Sequence, residues 1–578
     1  MACLARWRAV RSFGIVFVGL VLLAGCTDMP AVPLVPASAV TSTPVATDTS
    51  QVVVGVDGIG GGYNPHALAD QSSVTTALGE LLLPSVFRTA PDGTPQLDTN
   101  LMVSAAVTSA SPFTVTYQLR TDASWSDGTP IDAADFVYLR NQLSTEPGAL
   151  DAAGYRLISD ITARDNGKTI QVTFAKAYPG WRSLFTDLLP AHLLKDAPGG
   201  WDSALTDSFP ATAGPFDIKS LDSAGGEIVL ERSDRFWGTP SVLDQVVLRK
   251  ADHQDMAAGL RSGADQLAYT RTDQAGLTLL QTLATAGTVN LSSVPRGELA
   301  AVLLRPAGPD LADQSVRTAV AAAINRDALI TAGTGGGPSD ALRANALVVA
   351  PTQPGYQPTL AANAVPAVPD PAVTQAQLTT AGYRQTGGQW LRDGQPLKVV
   401  VAATAGVEPY LSIAKLVQQQ LVTAGIQATL ITPQAGQLYG TDLSATSTTS
   451  TANGGSAAAD PDIVVGPQPV DTDSASALAS WFGCPQQLPG GTTLAPANPL
   501  GFCDHTVQPD IDAALTGEMS LSDALAKVEP AVWSAAVEIP LFQLADVLAV
   551  GKQVTGVTAG APLVGPFAGA ATWNRLAG

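Results

Sequence analysis

Short apolar runs alternate with longer stretches of helical spacing along most of this chain, and Gly, Pro, Asp and Asn punctuate them. Residues 51–56, Gln-Val-Val-Val-Gly-Val, form a compact β-branched run that reads as a first buried strand. Residues 114–119, 169–174 and 227–231 alternate as strands do, and 241–249 is a further strand candidate. Helical spacing runs through 73–83 and 133–143, the second with Asp132 placed as an N-cap. Further on, 314–325 and 372–381 read as helices, 397–402 as a strand, 411–424 as a helix and 427–431 as a strand. Strands alternating with helices imply an α/β body whose sheets are covered on both faces. Residues 444–459 are mostly Ser, Thr, Gly and Ala without a period, which reads as a flexible surface loop.

The N-terminal pattern is different in kind. Arg6, Arg8 and Arg11 precede an almost unbroken apolar run over 13–23, and Leu23-Ala24-Gly25-Cys26 follows at once. The run is too short for a comfortable membrane span and suits a cleaved signal segment. The four residues ending at Cys26 look like a bacterial lipobox, so Cys26 is expected to carry a lipid that holds the mature chain to the outer face of the cytoplasmic membrane. Residues 27–50 are rich in Pro, Ala, Thr and Ser, which cannot bury a core, and read as an extended tether.

Composition narrows the classes. Of 578 residues, 46% are hydrophobic and 14% charged, which suits globular domains and not a disordered chain. The net charge of −19 repels phosphate backbones, so nucleic acid is not an expected partner. Four cysteines are present. Cys3 leaves with the signal and Cys26 takes the lipid, which leaves Cys484 and Cys503 as a pair in an oxidising compartment. They read as a disulfide, the alternative being two free buried thiols. A bridge closing a loop of that size contributes about 3 kcal/mol in the chain-entropy model.

Motifs for catalysis are lacking. His66, His192, His253 and His505 have no metal-ligand spacing, and no G-x-S-x-G elbow surrounds a serine. The glycines at 58–62 follow a strand as a dinucleotide loop would, but Tyr63-Asn64-Pro65 prevents a helix from starting there. The glycines at 333–337 lack the Lys of a phosphate loop. No enzyme activity, metal or cofactor is expected.

Several segments, in order, carry a family resemblance. Residues 119–130, Leu-Arg-Thr-Asp-Ala-Ser-Trp-Ser-Asp-Gly-Thr-Pro, are similar to the "LR-x-x-x-x-W-S-D-G-x-P" signature of the family 5 extracellular solute-binding proteins, and Ala133-Ala134-Asp135-Phe136-Val137 continues it. Tyr63-Asn64-Pro65, Thr212 to Phe216, Leu230 to Trp237, Val316 to Arg326, Ala381-Gly382-Tyr383 and Ala424-Gly425-Ile426 resemble further family segments. Within the family, residues 111–117, 184–192 and 510–515, with the Cys484 and Cys503 surroundings, are similar to a mycobacterial branch of LpqW-type lipoproteins tied to a mannosylated phosphatidylinositol. An actinobacterial origin follows from that likeness.

The resemblance implies a two-lobed periplasmic-binding-protein-like α/β fold of the large peptide-carrier class (type II), with mixed sheets and a cleft between lobes. It implies this division: 1–25 signal peptide, 26–50 lipidated Cys26 and tether, 51–298 the first part of a larger lobe, 299–545 a smaller lobe, and 546–578 a closing segment of the larger lobe. It further implies a monomer that closes on a small-molecule, peptide or glycolipid ligand. An ABC permease complex is the implied partner if the chain serves import; the LpqW-type alternative is glycolipid binding in envelope synthesis.

The resemblance also implies site residues. Peptide carriers pair an acid of the second lobe with the ligand's amino group, and Asp471 or Asp473 falls near that position, although Pro467 stands where an aromatic residue is usual. Both could equally be solvated loop carboxylates. Tyr63 and Asn64 are candidates to face the cleft, or to form a turn. Trp125 is a candidate ligand contact, or a packing residue of the signature. Trp390 and Trp481 are candidate apolar platforms or core residues.

Overall fold

The computed structural model describes residues 50–306, 310–360, 367–443, 460–485 and 500–576. The signal segment, Cys26, nearly all of the tether and the 444–459 loop lie outside them. At the centre stand two long antiparallel strands, Val289–Leu304 and Glu538–Gly551, registered from Val289 opposite Gly551 to Leu303 opposite Glu538. The second is buried over its first twelve residues. Such a strand reads as a nearly continuous apolar run and not as an alternation.

These two strands sit in the middle of one ten-stranded mixed sheet. On one side Ile463–Pro469 pairs antiparallel with the first long strand, followed by Lys398–Ala402 and Gln427–Ile431 in parallel. On the other side Leu267–Thr270 pairs antiparallel with the second long strand. Gln51–Val56 and Gln245–Lys250 follow in parallel, and Glu227–Arg232 and Phe216–Asp222 close that edge antiparallel. A separate four-stranded antiparallel sheet holds Met102–Ala110, Phe113–Leu119, Thr169–Phe174 and Ile158–Arg164.

Two large cores flank the middle of the ten-stranded sheet, the interiors of two lobes. One is built on Leu78, Tyr117, Trp125, Phe136, Phe185 and Trp573. The other is built on Val302, Val320, Ile413, Val465, Phe542 and Leu544. Both long strands run from one core to the other. Where the first passes between them, its register shifts between Pro295 and Leu299.

Most expected elements stand within a residue or two of their places. The strands Thr169–Phe174 and Gln427–Ile431 match at both ends, and helices form over Ser73–Leu82, Ala133–Thr145, Pro371–Thr380 and Tyr410–Thr423. Two readings need correction. The helix expected over 314–325 ends at Ala322, and a new one starts at Arg326, because the Asn325 side chain accepts the Ala328 N–H (2.9 Å) as an N-cap. The strand expected over 241–249 begins at Gln245, because Ser241 Oγ accepts the Leu243 N–H and the Val242 N–H is drawn to Ala571 O.

The 119–137 signature folds into a knot around one carboxylate. Gly128 (φ 93°) closes a turn in which Trp125 and Thr129 pair, and Asp132 caps the next helix in a capping box with Asp135. Asp135 accepts the Ala191 N–H (2.9 Å), the Asp132 N–H (3.1 Å) and the Trp125 indole N–H (3.2 Å). Burial, the largest influence, pushes its pKa up to about 6, against the pull of these three donors.

Candidate functional site

A cavity of about 210 Å³ opens where the two cores approach each other. The first lobe supplies its wall from Pro65, His66, Gln71 to Ser73, Asp151, Thr186 and Asp187. Pro295 to Glu298 of the first long strand form its floor, and Pro469 to Thr472, at the end of the Ile463–Pro469 strand, form the opposite wall.

The floor is a buried ion pair. Arg296 donates through Nε (2.7 Å) and Nη2 (2.6 Å) to the two carboxylate oxygens of Asp546 on the second long strand. This two-pronged arrangement suits guanidinium and carboxylate geometry. Asp546 has no solvent exposure, and burial raises its pKa against the pull of Arg296. Beside it Tyr410 donates to the buried Glu298, whose pKa burial also raises.

One wall is held in an unusual backbone shape. Phe185 (φ 60°) and Asp187 (φ 45°) both occupy the left-handed region without being glycine. Three bonds hold them there. Tyr155 Oη accepts the Phe185 N–H (2.7 Å), Ser85 Oγ accepts the Asp187 N–H (2.8 Å), and His66 Nε2 donates to Asp187 O (2.9 Å). Burial pushes His66 down to about 4, so the imidazole is neutral at pH 7 and serves as donor to that carbonyl.

The lobes touch across the cleft. Tyr178, in the first core, donates to Asp473 Oδ2 (2.8 Å), and the Ala153 N–H donates to Ser480 Oγ (3.1 Å). Asp473 also caps the helix Ser474–Phe482, whose Leu478, Trp481 and Phe482 lie in the second core. Asp151, just before the helix Ala152–Arg156, lines the same cavity as Asp471.

Of the residues expected at the site, Asp471 lines the cavity, and Asp473 lies beside it as a helix cap bonded to Tyr178. Tyr63 and Asn64 are buried away from the lining: Tyr63 Oη pairs with Ser223 Oγ (3.1 Å), and Asn64 Oδ1 accepts the His66 N–H (3.1 Å). Trp125 is fully enclosed against Asp135. Trp390 donates to Ala424 O (3.0 Å) and Trp481 to Glu538 Oε2 (2.8 Å), both from within the second core. Cys484 and Cys503 form a disulfide. With His505 they are the one compact group of potential metal ligands among the described residues, and the bridge engages both sulfurs.

Asp151, Asp187, His66, Arg296 and Glu298 were not singled out from the sequence. The charged Arg296-Gly297-Glu298 inside a strand otherwise rich in Val, Leu and Ala was the available signal.

The pattern of "Bacterial extracellular solute-binding proteins, family 5 Middle" matches residues 96–486. The chain belongs to this family. It is 34% identical to "Probable monoacyl phosphatidylinositol tetramannoside-binding protein LpqW" of Mycobacterium tuberculosis, over 97% of each chain. It is 26% identical to "Oligopeptide-binding protein OppA" of Mycobacterium bovis, over 64% of this chain and 62% of that one. Among solved structures, the oligopeptide-binding protein AppA of Bacillus subtilis, in complex with a nonapeptide, matches with a TM-score of 0.69 at 16% identity, covering 92% of this chain and 100% of that one. The two-lobed solute-binding fold of the family is thus shared by this family 5 chain. No helix among the described residues is long and apolar enough to cross a membrane.

Proposed function

We propose that this family 5 protein is a lipid-anchored carrier on the outer face of the cytoplasmic membrane, which traps a peptide-like solute between its lobes and presents it to an ABC importer. The observation that carries the reading is the cavity walled by both lobes, beside the two long strands that run from one core to the other. A ligand bridging the walls contacts both lobes in the closed form alone, so binding shifts the population toward closure. Residues 51–298 with 546–578 would form one lobe and 299–545 the other, with Val294 to Ala300 and Leu544 to Val547 as the hinge. Cys26 would carry the lipid.

A second reading is favoured by the 34% identity spread over 97% of the chain: binding of a phosphatidylinositol mannoside in envelope synthesis, without import. The cavity is smaller than the roughly 300–1,000 Å³ typical of drug-sized ligands, so either ligand requires the lobes to part and re-close around it. Native mass spectrometry of the full chain, extracted from its own membranes, separates the readings. Co-purifying peptide masses support the carrier; a phosphoinositide mass supports the second reading. X-ray scattering that shows no compaction on adding a casein digest or the glycolipid would remove lobe closure from both.

A further inference from the structure

Each lobe sends a leucine into the other. Leu68 stands in the chain between Tyr63 and Val74 of the first core, yet it is buried (3% exposed) in the second. Leu515 ends the helix Gln508–Leu515, whose Ile511 and Ala514 belong to the second core, yet it is buried (4% exposed) in the first. An apolar side chain enclosed by the opposite lobe is wetted when the lobes part, so each contact favours closure by itself.

Polar contacts frame both leucines. The Leu68 N–H donates to Gly148 O (2.8 Å) and the Leu150 N–H to His66 O (2.9 Å), which ties 66–68 to 148–150 as a short ribbon. The turn Leu68–Asp70 packs on the segment Gln437–Asp442 of the other lobe. Gly148 (φ 66°) permits this approach, since a Cβ there would stand 3.2 Å from Tyr439 O. In the second patch Tyr178 donates to Asp473 (2.8 Å), a bond from a phenol to a carboxylate, and the Ala153 N–H donates to Ser480 Oγ (3.1 Å). Ala153 lies in the first turn of its helix, where no helix carbonyl accepts its N–H, and the Asp151 side chain does not cap it. Ser480 serves that N–H when the lobes are shut, and water when they part.

Leu68, Tyr178, Ser480 and Leu515 do not line the cavity. We infer that the two patches are clasps: Leu68 with its ribbon, and Leu515 with Tyr178 and Ser480, hold a share of the ligand-free chain already shut and are positioning residues for closure. The inference goes beyond either ligand reading, because it concerns the chain before a ligand arrives. Ligand contacts then add to a closing tendency that the lobes carry themselves, and whichever solute binds draws on the same share.

Hydrogen exchange and X-ray scattering test this on the full chain, shown by native mass spectrometry to carry no bound mass. In wild type the Ala153 amide is expected to exchange at least about threefold more slowly than in an unstructured chain. Leu68→Asp and Leu515→Asp should each remove that protection and give a larger radius of gyration than wild type. The amides of the strand Val289–Leu304 should keep their wild-type exchange, which separates parting of the lobes from unfolding. Should an aspartate variant lose that strand's protection, Leu68→Ala or Leu515→Ala is read in its place. An Ala153 amide that exchanges freely in wild type overturns the clasps, as do leucine variants that scatter as wild type does. The carrier reading survives both results, since no ligand enters the experiment.

Discussion

Asp546 on one long strand grips Arg296 on the other with both carboxylate oxygens, and the pair lies where the chain passes between lobes. Asp546 is fully buried and Arg296 has 14% of its side chain exposed. Removing one partner leaves an uncompensated charge in the interior, which costs more than the intact pair contributes. Asp546→Asn is therefore expected to lower stability by about 3–5 kcal/mol. Urea denaturation followed by far-UV circular dichroism checks it; a change below about 1 kcal/mol would mean the pair is solvated in solution.

The signature segment makes a contrasting prediction. Asp135 ties together the Trp125 indole, the helix start at Asp132 and the Ala191 backbone, and none of these lines the cavity. Asp135→Ala should cost about 2–4 kcal/mol through one lost cap and three orphaned donors. Ligand affinity, measured below the melting transition, should stay within about twofold of wild type. An affinity loss without a stability loss would move the signature into the binding site.

A third prediction concerns pH. Glu538 accepts the Trp481 indole N–H (2.8 Å), and burial pushes its pKa up to about 8. Its folded value lies above its unfolded one, so the fold holds a proton that the unfolded chain releases. Stability then falls as pH rises from about 4.5 through about 8. Glu538→Gln keeps the acceptor and removes the charge. The variant should melt a few degrees above wild type at pH 8.5 and about level with it near pH 4.5, by scanning calorimetry.

The bridge between Cys484 and Cys503 spans 19 positions. Replacing both with serine should cost about 3 kcal/mol by releasing that loop in the unfolded chain. Thermal melts with and without a reductant give the comparison: the reductant should lower the wild-type transition and leave the double variant unmoved.

For the anchor, Cys26→Ala should release the protein from membranes into the soluble fraction or the medium. Fractionation followed by immunoblotting reads this, and undiminished membrane association would rule out lipidation at that position.

The residues by themselves determined the local elements. Thr169–Phe174 and Gln427–Ile431 could be placed because alternation and β-branching act within a few residues. The cap at Asp132 was legible for the same reason. The signature order carried the family and its two-lobed fold. The strand Glu538–Gly551 escaped because burial on both faces erases its period, and the break at Asn325 escaped because a side-chain cap interrupts an otherwise helical run. Only the tertiary structure decided the cleft. Asp151 and Asp471 line one cavity, and Arg296 meets Asp546, across hundreds of positions and from different elements, and no local pattern records which distant charges folding brings together. Nor could the sequence show that Trp125 turns inward to Asp135; that depends on what the core leaves room for.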